Sequence, residues 1–418
     1  MLQALRSALK IGDLRKKIVF TLMMFLVFRI GAHIPVPGIN LEIIDQMVKE
    51  GQLLGFFDVI SGGAFRKFSI FAMSITPYIN ASIIMQLLTV VVPYLERLAK
   101  EGAEGRKKIV EYTRYLTVLL GFIQAIGISF GLRSALTSTS MTSILLIALT
   151  LTAGTAFLMW LGEMITERGI GNGISLIIFA GIVSSLPGGL AAMYAYVKAG
   201  TTNIFVVLIF AIIALAVVVG IVAIQEGQRR IPVQYAKRVV GRKVYGGQST
   251  HIPIKVNSAG VIPVIFAMSI LMFPGTIASW FPDNSFAVWV TNVFNFQSFF
   301  YNFLYAMFII FFTYFYSAIT FNPMDVADNI KKYGGFIPGL RPGRPTSEYI
   351  ARVMNRITLV GAIFLALIAV MPTLLMTATQ LPIYFGGTAL LIVVGVALET
   401  MKQLEASLLM RHYEGFMK

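Results

Sequence analysis

Of all the stretches in this 418-residue chain, Gly171-Asn172-Gly173-Ile174-Ser175 comes nearest in outline to a catalytic loop, a serine close behind two glycines. A serine nucleophile needs a base within hydrogen-bond reach and a third group to orient that base. The three histidines, His33, His251 and His412, all fall in loops or at the ends of apolar runs. No Ser–His or Asp–Asp arrangement can be assembled within those runs. The absence of cysteine removes disulfides, thiolate metal sites and thiol nucleophiles. No Walker lysine motif is present, so any nucleotide is spent by a partner. Neither Asp nor Glu stands in the middle of an apolar run to couple protons or sodium, and Glu163 and Glu399 sit near run ends. These residues point away from an enzyme and away from a cofactor or metal. Gly-Asn-Gly is better read as a helix start where two backbones approach closely.

Some polar residues do lie within or beside the apolar runs: Asn80, Ser82, Gln86, Gln124 and Asn257. They either hydrogen-bond between helices, as is common in membrane bundles, or line a path that opens. Arg29 and His33 stand near the end of the first run, where Arg29 is long enough to snorkel.

The elements that must position these residues are membrane helices. The chain is 57% hydrophobic and only 13% charged, with a mean hydropathy of +0.78. A soluble chain carries about one-quarter charged residues. Apolar runs near the length needed to cross a bilayer recur throughout, where a barrel would show short alternating segments. Ten spans are expected, at 18–35, 68–92, 115–133, 143–162, 173–196, 203–224, 258–280, 298–321, 354–375 and 382–401. The basic N-terminus, residues 1–17, places Leu2, Leu5 and Leu9 opposite Arg6 and Lys10, the pattern of an interfacial helix. The run that follows it reads as a retained span rather than a cleaved signal. The great majority of the 34 Lys and Arg lie in or beside the N-terminus, the even-numbered connections and the C-terminus, which predicts that both termini are cytoplasmic. Spans 1–5 (18–200) and 6–10 (201–402) form two five-span halves, followed by a tail, 403–418. An odd number of spans per half requires inverted topology, which usually places a pathway at the interface. Two basic connections are long. In 225–257, alternating VQYAKRVV and KVY runs predict a hairpin of strands; in 322–353, Gly and Pro punctuate a structured tip. Their charge serves either to orient the spans or to dock an acidic partner such as ribosomal RNA. A further segment, LLGFFDVISGGAF (53–65), is apolar yet too short to cross, and is broken by Ser61-Gly62-Gly63.

Six blocks resemble the SecY family, the pore subunits of bacterial protein translocases: SITPYINASIIMQLLTVV (74–91), EGAEGRKKIVEYTRY (101–115), GEMITERGIGNGISLIIFAGI (162–182), GQRRIPVQYAKRVVGRKVYGGQSTHIPIKVNSAGVIPVIFA (227–267), FIPGLRPG (336–343) and YFGGTALLIVV (384–394). The resemblance runs from the first span to the C-terminus, in order and spacing. It implies an all-α polytopic channel in the bacterial cytoplasmic membrane, with ten spans in two inverted halves. Unfolded secretory polypeptides would pass through it, and hydrophobic signal segments would leave sideways into lipid. It implies that the 53–65 segment, with Phe56, Phe57, Ile60, Ser61, Gly62 and Gly63, is a re-entrant plug helix. It implies a pore ring of Ile75, Ile79, Ile174, Ile178, Ile265 and Ile392; the 75/79 and 174/178 pairs each share a helix face by their spacing. A lateral gate between spans 2 and 7, flanked by 3 and 8, would take in Asn80, Gln86, Gln124 and Asn257. Arg341 would be a critical docking residue, and Lys237, Arg238, Arg242 and Lys243 general docking charges, for the ribosome and the SecA ATPase motor. SecE and SecG are the implied small membrane subunits. A secondary transporter with inverted repeats, and a poreless scaffold or insertase, are the competing classes; the missing mid-span carboxylates weigh against the transporter.

Overall fold

The computed structural model describes residues 9–50, 58–59, 61–138, 140–200, 203–235, 238–240, 243–245, 249–278, 284–295, 298–379 and 387–416. Its main helices are α1 (Gly12–Gly31), α2 (Leu41–Glu50), α3 (Thr76–Val91), α4 (Pro93–Lys100), α5 (Ala103–Gly131), α6 (Met141–Arg168), α7 (Gly173–Lys198), α8 (Ile204–Glu226), α9 (Ile262–Ala278), α10 (Ser285–Val293), α11 (Phe299–Thr320), α12 (Pro323–Lys332), α13 (Arg344–Thr379) and α14 (Gly387–Phe416). Each of the ten predicted spans holds one of them; α2, α4, α10 and α12 lie in connections. Helices α5, α6, α7, α8 and α13, and α11 continued into α12, are long and apolar enough to cross a bilayer. The pair α3–α4, bent by 98°, makes a seventh if taken as one span. The remaining three have local reasons to fall short. Helix α1 carries Asp13, Arg15, Lys16 and Lys17 in its first turns, α9 has 17 residues, and α14 runs on through Lys402, Glu405 and Arg411.

Several helices outrun their apolar stretches, because hydropathy marks where a helix meets lipid and not where its hydrogen bonds end. Helix α5 begins at Ala103 and α13 at Arg344, where Arg344 pairs with Glu348 one turn on at 3.3 Å. Residues 12–17, expected in an interfacial helix, belong to α1; residues 1–8 lie outside the described part.

Span 2 departs from expectation in the other direction. Residues 68–75 form turns, and the helix begins only at Thr76, with Pro77 in its first turn. Phe68 and Ser74 sit at φ +37° and +52°, and local bonds such as Ser74 N–H to the Phe71 carbonyl at 2.8 Å replace the helical ladder. Irregular backbone survives at membrane depth only when buried in protein, and this segment is: Phe68, Phe71, Ala72, Met73, Ser74 and Ile75 are all buried. Its backbone also bonds to the chain leaving α1, with Val36 N–H to the Phe68 carbonyl at 2.9 Å and Ile70 N–H to the Ile34 carbonyl at 3.0 Å. Phe71 stacks between Phe28 and Phe157.

The first half comprises α1, α3, α5, α6 and α7, the second α8, α9, α11, α13 and α14. The halves meet along two main seams. At one, α9 lies against α3 and α5; at the other, α14 lies against α7. At the end of the bundle that carries the long connections, β1 (Gln228–Tyr235) pairs antiparallel with β4 (Ser249–Lys255), in register from Gln228↔Lys255 to Gln234↔Ser249. Between them β2 (Arg238–Val240) and β3 (Lys243–Tyr245) form a second small hairpin. The other edge of β1 takes β5 (Gly335–Phe336) from the second long connection. The run VQYAKRVV is split between β1 and β2, and its predicted pairing with KVY is the separate β2–β3 hairpin; β1 instead joins β4 and β5 in a three-stranded sheet that links the two basic connections.

Candidate functional site

The six isoleucines lie on four helices, α3, α7, α9 and α14, all of which take part in the seams. Ile75 caps the N-terminus of α3; its carbonyl accepts the first helical bond, from Ile79 N–H at 3.0 Å, so the two side chains follow one another on that face. Ile174 and Ile178 occupy the first turns of α7, Ile265 the first turn of α9, and Ile392 the first turns of α14. Ile75, Ile178 and Ile392 are buried in the main hydrophobic core of the bundle, and Ile79, Ile174 and Ile265 pack half-buried against that core. Ile174 also lies against α6: a Cβ on Gly162 would fall 2.5 Å from its Cδ1.

The start of α7 explains how Ile174 and Ile178 are aimed. Gly171 takes φ +83°, which L side chains avoid. Asn172 caps the helix, its side-chain oxygen accepting from Ile174 N–H at 3.1 Å and Ser175 N–H at 3.3 Å. A Cβ on Gly173 would sit 1.9 Å from the Gly162 carbonyl oxygen. The Gly-Asn-Gly motif is thus a close-packed helix start, as its composition predicts. Among the described residues, no three His, Asp or Glu side chains converge as metal ligands.

Ser61, Gly62 and Gly63 form the exit of the half-length segment; Phe56, Phe57 and Ile60 lie outside the described residues. Ser61 and Gly62 are buried, and the turn is tightly knit. Gly63 N–H reaches the Asp58 carbonyl at 2.8 Å, Ser61 Oγ accepts from Phe65 N–H at 3.0 Å, and the Asp58 carboxylate accepts from Arg66 N–H at 2.7 Å. Arg66 also pairs with Asp45 on α2. Arg29, exposed in the last turn of α1, reaches across to this turn. Its Nη1 donates to the Gly62 carbonyl at 2.7 Å and to Ser184 Oγ of α7 at 3.1 Å. Sequence reasoning did not single out Arg29 for this role, nor Ser184 and Ser185. The available signal was a cation in the last turn of a membrane helix with no acidic residue one turn away.

The polar residues proposed for a gate distribute unevenly. Asn80 and Gln86 lie on α3 and Gln124 on α5, all half-buried, and both helices adjoin α9. Asn257 is buried just before α9, but its described bond is local, Nδ2 to the Gly260 carbonyl at 2.9 Å; its Oδ1 is buried without a partner.

Arg341 stands exposed at the tip between Gly339 and Gly343, both at positive φ. Its backbone is fixed: Thr346 Oγ1 donates to the Arg341 carbonyl at 2.8 Å. Beneath it, Ile337 and Ile350 share a buried cluster with Ile231, Val233 and Ile254 of the sheet. Arg238 and Lys243 fall in strands β2 and β3, while Lys237 and Arg242 lie outside the described residues. At the same end, Arg114 pairs with Glu163 at 2.8 Å and Lys402 with Glu226 at 2.8 Å.

Residues 69–401 match the family SecY. The protein translocase subunit SecY of Halalkalibacterium halodurans is 52% identical, with 100% of each chain covered. Among solved structures, a protein-conducting channel superposes with a TM-score of 0.67 at 20% identity, over 94% of this chain and 92% of that one. A second superposes with a TM-score of 0.66 at 18% identity and the same coverage; it concerns a SecY whose plug domain stabilises the closed channel and maintains a membrane seal.

Proposed function

We propose a pore mechanism from the premise that this chain belongs to the SecY family: it is a multi-pass membrane protein, a protein-conducting translocase subunit and not an enzyme. Ile75, Ile79, Ile174, Ile178, Ile265 and Ile392 form the waist through which an unfolded chain slides. One observation supports this reading: all six isoleucines belong to, or pack against, the same extended hydrophobic core, and they stand at the starts of α3, α7, α9 and α14, helices that take part in both seams between the halves. β-branched side chains have few rotamers and present a stiff, unselective surface. Strong specific contacts would arrest a passing polypeptide, and an apolar constriction disfavours water and ions when empty.

The segment near 53–65 is the plug, held from one side by Arg29 and the α7 serines. The α3–α9 seam is the lateral gate. Asn80, Gln86 and Gln124 hold it modestly, at about 0.6–2 kcal/mol per polar contact, and Asn257 shapes the entry to α9. A signal helix offsets those contacts by burying apolar surface toward lipid at roughly 25 cal/mol per Å2. The strongly basic end, with both termini, faces the cytoplasm of a bacterial cell. Residues 18–200 and 201–402 act as the two halves. The sheet carrying Arg238 and Lys243, with Lys237 and Arg242 between its strands, docks the ribosome or SecA, and Arg341 offers a fork-shaped cation to a carboxylate or phosphate. SecE and SecG complete the membrane complex.

Single-channel recording of the reconstituted complex tests the waist. Ile79→Ser with Ile178→Ser raises the resting ion conductance; a conductance equal to the unaltered channel overturns the assignment.

A further inference from the structure

The waist and gate do not use Arg29, yet it makes an unusual set of contacts for a cation in a membrane helix. Charge near membrane depth is expensive and is normally paired or drawn out to the interface. Arg29 instead turns its guanidinium onto neutral acceptors of the half-length segment: the Gly62 carbonyl at 2.7 Å, with Ser184 Oγ at 3.1 Å alongside. Ser184 Oγ itself donates to the Gly181 carbonyl at 2.7 Å and lies 3.4 Å from the Gly62 carbonyl. Ser185 Oγ reaches the Val59 carbonyl at 3.3 Å. Three side chains from two helices thus converge on two carbonyls of one turn. Close approach is built into the turn as well. Gly62 sits at φ +69°, and a Cβ there would fall 2.6 Å from Ser184 Oγ and 2.9 Å from Gly181 Cα.

These contacts differ in kind from the others around the turn. The bonds of Asp58, Ser61 and Gly63 lie within the turn and move with it. The bonds from Arg29, Ser184 and Ser185 join it to α1 and α7, and must break when it leaves. The acceptors are main-chain oxygens, so the hold does not depend on which side chains those residues carry.

We propose that Arg29, braced by Ser184 and Ser185, is a latch that holds the half-length segment in its seated position and whose release is a step of channel opening. This rests on the reading of that segment as a plug. The test records resting currents from the assembled translocase in planar bilayers, for Arg29→Met, Arg29→Lys, deletion of 55–65, and the deletion combined with Arg29→Met. A charge-assisted hydrogen bond is lost in Arg29→Met, so open probability rises roughly ten-fold or more. Arg29→Lys recovers part of the closure. In the deletion background Arg29→Met adds nothing, because residues that act through one contact are non-additive. The chain lacks cysteine, so Val59→Cys with Ser185→Cys gives a clean rescue: oxidation silences the Arg29→Met channel, and reduction reopens it. If the deletion conducts while Arg29→Met stays silent, the latch is wrong and the plug stands. A silent deletion overturns the plug reading. A deletion current that grows further when Arg29→Met is added, or an Arg29→Met current that persists through oxidation of a formed cross-link, marks a general structural defect and overturns the latch.

Discussion

Within the first half of the bundle, backbones approach so closely that one added methyl group would overlap a neighbour. A Cβ on Gly173 would lie 1.9 Å from the Gly162 carbonyl oxygen, and one on Gly154 only 1.8 Å from that of Ile70. At the basic end, Arg341 projects into open space while its own carbonyl is tied to Thr346 and the residues beneath it are packed into the sheet. Both regions are rigid, but the rigidity serves different ends. In the membrane it positions apolar side chains that must bind nothing strongly. Outside, it presents a charge whose value lies in what it meets. The first region fails when volume changes and the second when charge changes.

Substitutions can break that contrast. Gly154→Val inserts side-chain volume against the turn at Ile70 and costs about 3 kcal/mol or more, the upper range for overpacking; thermal unfolding of the detergent-solubilised complex reads it as an early transition. Asn172→Ala removes the cap that aims Ile174 and costs about 1 kcal/mol, a smaller shift in the same melt. Lys402→Gln breaks an exposed pair with Glu226 and costs under about 1 kcal/mol. Arg341→Glu leaves the melt within about 0.5 kcal/mol yet strongly lowers SecA-driven export, measured as protease-protected substrate in vesicles. If Arg341→Glu shifted the melt as far as Gly154→Val does, the contrast would fail.

Much of this was legible in the residues. Composition and run length predict a ten-span bundle because lipid imposes one length on every crossing helix. Gly171-Asn172-Gly173 announces its tight helix start through residue type alone, and the alternating runs in 225–257 announce strands. Two features were hidden for physical reasons. Residues 68–75 are apolar enough to pass for helix; what unwinds them is burial on all sides and the pull of Pro77 and the Ile34 and Pro35 backbone, which are tertiary facts. Arg29 looked like an interfacial anchor because its acceptor is a main-chain carbonyl 33 residues away, and a carbonyl leaves no mark in a sequence. The waist sits between these cases. Each isoleucine alone is an ordinary core residue, and it is the family resemblance that singles out the six from the rest of the core.

The most direct test follows a translocating chain. A secretory polypeptide arrested in transit, carrying a photoreactive probe, is cross-linked to single cysteines placed at 75, 79, 174, 178, 265 and 392, with the exposed Leu215 and Val219 of α8 as controls. Strong labelling at all six positions with none at the controls is the predicted result. Labelling confined to one side of the cluster, or equal at the controls, would contradict a waist that encloses its substrate.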